Sequence, residues 1–365
     1  MAFSSTLPIP TGSTVDVSII DGGRITMPTA YVLSNQLPGH DVLEMPCYSF
    51  LIENKKSGKK VLFDLGLMKA WREKEPPAIH SQIESAQAKL EVQHDVSDQL
   101  RDAGIPLESI NAIIWSHHHL DHTGDPSLFP SSTSLVLGPG FKKNNITFPG
   151  YPENPDSLID GEAFKGRELI ELDFSNSLNI GGFPAIDFFG DGSFYILQSE
   201  GHTHEHMSAL ARTSQDHYIF LAGDIAHYPG EYRPSQYLPL PTEISPSPLD
   251  HKLQPTSICP ASVFEKIHPS AAIAGHCRTT PFYQLPEFGC VDLQKARNSL
   301  DNMEALDGSA KVFVIIAHDA SLLDVVPFFP KKISDWNMQA YKRLGAWRFL
   351  KDLVKKVNRI QNDGV

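Results

Sequence analysis

The chain has 365 residues, 41 % apolar and 20 % charged, which suits a globular protein with a large core and excludes fibrous, disordered and disulfide-scaffold classes. Its 31 Lys and Arg against 43 Asp and Glu leave a net charge of −12, a balance opposed to nucleic acid as the main ligand, because phosphate binding depends on basic groups. Cys47, Cys259, Cys277 and Cys290 form no CxxC pair, the first residues lack the basic start and apolar run of a secretory signal, and no stretch approaches the roughly 18 apolar residues of a membrane span. A reduced, cytoplasmic protein is expected, with a small molecule as its partner and neither nucleic acid nor membrane.

Strand-length apolar runs bounded by turn residues open the chain: Val15–Ile20 before Asp21-Gly22-Gly23, Tyr48–Ile52 before ENKKSGKK, and Val61–Phe63 before Asp64-Leu65-Gly66. The polar stretch Ser81 to Ala103, closed by Gly104 and Pro106, predicts one helix. Ile110–Trp115 is a short buried strand leading into SHHHLDHTGD. Further strands are predicted at Ser134–Leu137, Phe194–Leu197, Tyr218–Ala222 and Val312–Ala317, with a helix at Leu293–Leu306 and a last one from about Trp336 to Gln361. Strands mixed with helices imply a layered α/β protein.

Two segments break the pattern. Eight prolines lie between Pro229 and Pro260 among Tyr228, Tyr232 and Tyr237, which forbids a long helix or central strand and suggests a rigid lid over a site. Residues 331–365 carry nine Lys and Arg against three Asp, a solvated helix face or a surface for an acidic partner.

The informative cluster is His117, His118, His119, Asp121 and His122, at the end of an apolar strand. Residues two apart in extended backbone point to one side, so His117 and His119 can present two imidazoles to one metal. Asp121 and His122, past the bend, can turn toward a second, while His118 faces away and is structural. Imidazole with carboxylate suits zinc and similar divalent ions.

This run resembles the HxHxDH core motif of the metallo-β-lactamase superfamily. The resemblance implies a four-layer αβ/βα sandwich over residues 1–330, with a Pro-rich lid insertion at about 228–262 and a C-terminal helical extension over 331–365. A GHTxxH segment stands at 201–206, with His204-Glu205 where the family usually has Pro-Gly; the resemblance implies His206 as the ligand and leaves His204 as a competitor. Asp224, ending the strand from Tyr218, is implied as the bridge between two metals. His318 in AHD is implied as the last ligand, with His276 as its rival, and Asp64 as an organiser of backbone.

The FLIEN…VLFDLG opening and the closing His-Asp are most similar to the N-acyl homoserine lactonase-type branch and related fungal hydrolases. That branch places a tyrosine three residues after the bridging aspartate. Here position 227 is His and Tyr228 follows, and either can contact substrate. The implied function is a hydrolase in which two divalent ions, Zn2+ by donor type, share a hydroxide that opens a cyclic ester, lactam or cyclic carbamate, with Asp121 orienting it and passing a proton on. Glyoxalase-type or polyketide-releasing thioester cleavage is the alternative; it calls for a cationic groove. A mononuclear iron oxygenase and a binding protein of the same fold are the remaining options. No GxSxG elbow or P-loop occurs.

Overall fold

The computed structural model describes residues 9–273, 275–287 and 289–354. Two sheets face each other. The first contains β1 (Val15–Pro28), β2 (Val42–Asn54), β3 (Lys60–Phe63), β4 (Lys89–Glu91), β5 (Ile110–Ile114), β6 (Ser134–Leu137) and β7 (Leu169–Glu171), in the order β4-β1-β2-β3-β5-β6-β7. The second contains β8 (Leu178–Ile180), β9 (Phe183–Asp187), β10 (Phe194–Gln198), β11 (Met207–Arg212) and β12 (Tyr218–Leu221). A small ladder joins β13 (Glu243–Ile244) to β14 (Cys259–Pro260). The last strand, β15 (Val312–Ile315), returns to the second sheet parallel to β12.

Both faces of each sheet are buried, which explains why the strands read as continuous apolar runs. Along β5, Ala112 and Ile114 enter the core between the sheets, where Phe50, Phe63, Ile196, Ala209 and Ile315 meet them. Ile113 points the other way and packs with Val96 and Leu100 of the helix Val96–Asp102. Across the second sheet, Leu197, Leu210, Phe220 and Val314 pack against Leu300, Met303 and Leu306 of the helix Leu293–Asp307. The layers therefore run helix, sheet, sheet, helix.

The expected strands and the 293–306 helix are present; three expectations fail. The single helix over 81–103 is instead a helix at Pro77–Ser85, strand β4, and a helix at Val96–Asp102. Gln87 adopts φ +52°, and Leu90 is drawn into an apolar cluster with Ile25 as β4 pairs with β1. The Pro-rich insertion is not a lid. Leu240, Ile244, Cys259 and Phe264 form a second core with Phe282, Tyr283, Trp347, Phe349 and Leu350, and none of residues 228–262 borders the cavity described below.

The helix expected from Trp336 to Gln361 is also absent as such: the described part has a turn of helix at Tyr341–Gly345 and a 3-10 segment at Arg348–Leu353. Trp336 belongs to the core between the sheets and Phe349 to the second core, and no straight helix serves both. Residues 355–361 of that expectation lie outside the described residues. No helix among the described residues is long and apolar enough to cross a membrane.

Candidate metal centre

Four strands deliver the site from one edge of the sandwich. His117 stands three residues beyond the end of β5, Asp224 three beyond β12, His318 three beyond β15, and His202 four beyond β10. The helical turn Leu120–Thr123 wraps Asp121 and His122 back under His117. Gly223 makes the final bend into Asp224 with φ +55°; a Cβ there would lie 2.7 Å from His206 Nε2.

Two groups of donor atoms result, each within 4.8 Å of one another: His117, His119, His202 and Asp224, and Asp121, His122, Asp224 and His318. In the first, His202 Nε2 is 3.2 Å from His117 Nε2 and 3.0 Å from His119 Nδ1, with Asp224 Oδ2 3.5 Å away. In the second, His318 Nε2 is 3.3 Å from both Asp121 Oδ2 and Asp224 Oδ1, and His122 Nε2 is 3.3 Å from Asp224 Oδ1. Asp224 thus turns one oxygen to each group.

The far nitrogens of three of these rings are held by protein. His122 Nδ1 meets Asp64 Oδ2 at 2.8 Å, His318 Nδ1 donates to Pro46 O at 2.7 Å, and His117 Nδ1 lies 3.0 Å from Ser116 Oγ. Such outer partners fix the tautomer and aim the other nitrogen at a metal. His122 Nε2 and Asp224 Oδ1 are buried with no hydrogen-bond partner, a costly state that a cation between them would relieve.

The electrostatics fit the same occupant. Burial, then neighbouring imidazoles, pushes His117 well below the ordinary histidine value; burial, then His118, takes His119 to about 3. These rings are neutral and offer lone pairs. Burial would also lower His122 and His318, but Asp224, with Asp121, outweighs it and raises both well above the ordinary value. The second group therefore favours positive charge at its centre.

Of the residues expected at the site, His117, His119, Asp121, His122, Asp224 and His318 converge. His206 does not. Its Nδ1 lies 2.9 Å from Ser199 O and its Nε2 accepts the Asp224 backbone N–H at 2.9 Å, so both nitrogens are spent inside the protein. His202 takes its place, and His204 is exposed. Within the 201–206 segment the geometry groups His202, not the expected His206, with the other donors. A signal was available: His202 follows its strand by four residues, close to the three of the other strand-end donors, whereas His206 immediately precedes β11.

His227 and Tyr228 separate cleanly. His227 borders the cavity, with Nε2 3.4 Å from Asp224 Oδ2 and its ring stacked on His318 at 5.9 Å and 7°. Tyr228 points away: its hydroxyl donates to Phe349 O at 2.9 Å and lies 3.2 Å from Asp352 Oδ2, inside the second core. Tyr228 is therefore structural. Glu231, missed from sequence, accepts the backbone N–H groups of His227 at 2.6 Å and Tyr228 at 3.0 Å and sets their divergence.

Above the donors lies a cavity of about 310 Å³. Its walls are largely apolar, with Ile25 and Met27 of β1, Met45 of β2, Ile79 and Ile83 of the helix Pro77–Ser85, and Leu90 of β4.

The Metallo-beta-lactamase superfamily model matches residues 42–272. The chain belongs to the metallo-β-lactamase superfamily. It is 41 % identical over 355 residues to gamma-lactamase FDB1 of Fusarium pseudograminearum, covering 94 % of this chain and 83 % of that protein. It is 37 % identical over 359 residues to the monooxygenase mpaDE′ of Penicillium brevicompactum, covering 95 % of this chain but only 38 % of that protein's length. The structure of a B. thuringiensis AiiA variant, with N-decanoyl-L-homoserine at its active site, shares the fold at 15 % identity. Its TM-score is 0.58, over 89 % of this chain and 100 % of that one. As a metallo-β-lactamase superfamily member with these His/Asp groups, the protein is a metal-using hydrolase of small molecules.

Proposed function

We propose that the protein opens a small ring at its acyl bond, a cyclic ester, lactam or cyclic carbamate, with two divalent ions bound side by side. The observation that carries this is the division of Asp224, Oδ2 toward His117 and His202, Oδ1 toward His122 and His318. His117, His119, His202 and Asp224 would hold one ion, and Asp121, His122, His318 and Asp224 the other. Neutral imidazoles with carboxylates suit zinc. Bound there, such ions would polarise the acyl carbonyl and lower the pKa of a water to about 7.

The chain's own groups complete the chemistry. His227 Nε2, at the cavity border, donates a hydrogen bond to the carbonyl oxygen as negative charge builds on it. Asp121 turns Oδ2 to His122 and His318, which leaves Oδ1 to take a proton from the attacking water and return it to the leaving heteroatom. The apolar walls hold the ring by burial and keep bulk water away from the carbonyl. The Fusarium relative's name supports a lactam among these substrates. Among the described residues the cavity lining carries no lysine or arginine of the kind the thioester alternative calls for.

The test is metal content per chain by plasma mass spectrometry, followed by hydrolysis of a panel of lactones, γ-lactams and cyclic carbamates. Two ions per chain and turnover of at least one ring are expected. A chain that stays at one ion in excess zinc, or a fully loaded chain that opens none of the rings, defeats the proposal.

A further inference from the structure

We infer that His118 contacts the substrate directly, with Glu205 as its positioning residue; this rests on the ring-opening function proposed above. The sequence pattern assigns His118 to the face opposite the donors, yet the structure sets it at the border of the cavity beside His119. Its Nδ1 is hydrogen-bonded to Glu205 Oε1. Against a carboxylate that nitrogen carries the hydrogen and donates. Among the described residues no protein group takes up Nε2, which leaves that atom as the ring's uncommitted hydrogen-bonding position at the cavity.

The support for this pair is built into the packing. Glu205 is 2 % exposed. Its backbone oxygen lies against Gly138 so closely that a Cβ on residue 138 would be 1.8 Å from it. A buried carboxylate aimed at an imidazole nitrogen fixes both ring orientation and tautomer. The other charged or imidazole groups at the cavity, His119, Asp121, His202, Asp224 and His318, all belong to the two donor groups, and His227 is assigned above to the acyl carbonyl oxygen. His118 is thus a polar side chain at the cavity floor free to read the ring itself, by a hydrogen bond to a polar atom next to the acyl carbon. A site that hydrogen-bonds such a group discriminates strongly against rings lacking it.

His118→Asn tests this, because its amide nitrogen can keep the bond to Glu205 while the Nε2 position is lost. On a ring that the wild type opens, kcat/KM is expected to fall at least tenfold with metal content and melting temperature retained. A smaller fall, or one matched by lost metal, overturns the inference. If that variant does not fold, Glu205→Gln replaces it: a threefold or greater loss in kcat/KM at full metal load is expected, and wild-type kinetics overturn the inference. A wild type that opens no ring defeats the proposed function and this inference with it, whereas an active wild type with an unaffected variant defeats this one alone.

Discussion

Asp64 Oδ2 lies 2.8 Å from Nδ1 of His122, and the same carboxylate accepts the Ser116 backbone N–H at 2.6 Å. One side chain at the end of β3 therefore anchors both the loop that starts the histidine run and the ring of a donor from its far end. Losing such a partner costs about 10–100-fold in metal affinity. Asp64→Ala should weaken binding at the Asp121, His122 and His318 group by that factor, read by competition with a chromophoric chelator. Unchanged affinity would show that the tautomer of His122 is set elsewhere.

The two histidines of the 201–206 segment should respond in opposite ways. His202→Ala is expected to lose about one ion per chain and nearly all turnover while keeping its melting temperature in the metal-free state. His206→Ala removes a ring whose two nitrogens are both bonded inside the protein, leaving buried polar partners unmade at about 1–3 kcal/mol each. It should melt earlier but retain two ions. Metal analysis and calorimetry of the pair decide the assignment.

His227→Ala should lower kcat/KM about 100-fold, the scale of losing one oxyanion donor, with metal content intact. Tyr228→Phe should leave kinetics alone and cost about 1–3 kcal/mol of stability, since its hydroxyl serves Phe349 and Asp352 in the second core. Kinetic damage in Tyr228→Phe without thermal damage would reverse the assignment.

Glu75, outside both donor groups, supplies a pH signature of its own. It is 8 % exposed, and burial, then the charges on Asp160 and Asp125, pushes its carboxyl up to about 8. The folded chain therefore keeps a proton that the unfolded chain sheds near pH 4.5. The stability this group contributes is fully present below about pH 4.5 and is lost as the pH rises through about 8. Glu75→Gln imitates the protonated acid at every pH. It should melt with the wild type at pH 4.5 and above it at pH 8, with a margin on the order of a few kcal/mol. A margin that does not grow with pH would refute the buried acid.

Strand positions and most donors were legible because both sheets are covered on both faces, which writes β5, β12 and β15 as mostly apolar runs leading to His117, Asp224 and His318. What could not be read was direction inside turns. Three histidines crowd positions 202 to 206 just after the bend at Gly201, φ +132°, and only His202 joins the donor groups. Tyr228 and His227 are neighbours in sequence, yet Glu231 pins their amides so that one ring enters the site and the other leaves it. Trp336 and Phe349 both suit one amphipathic helix until two separate cores claim them.

The donors arrive from both sheets, and in chain order they run from His117 to His318. A ribosome therefore exposes the four clustered histidines long before the residue that closes the second group. The donor group that includes His318 is complete only once β15 has docked beside β12. On the proposed function, ion capture at the second group is thus a late event in biogenesis. On the same function, filling of both donor groups would report that the last strand has found its place.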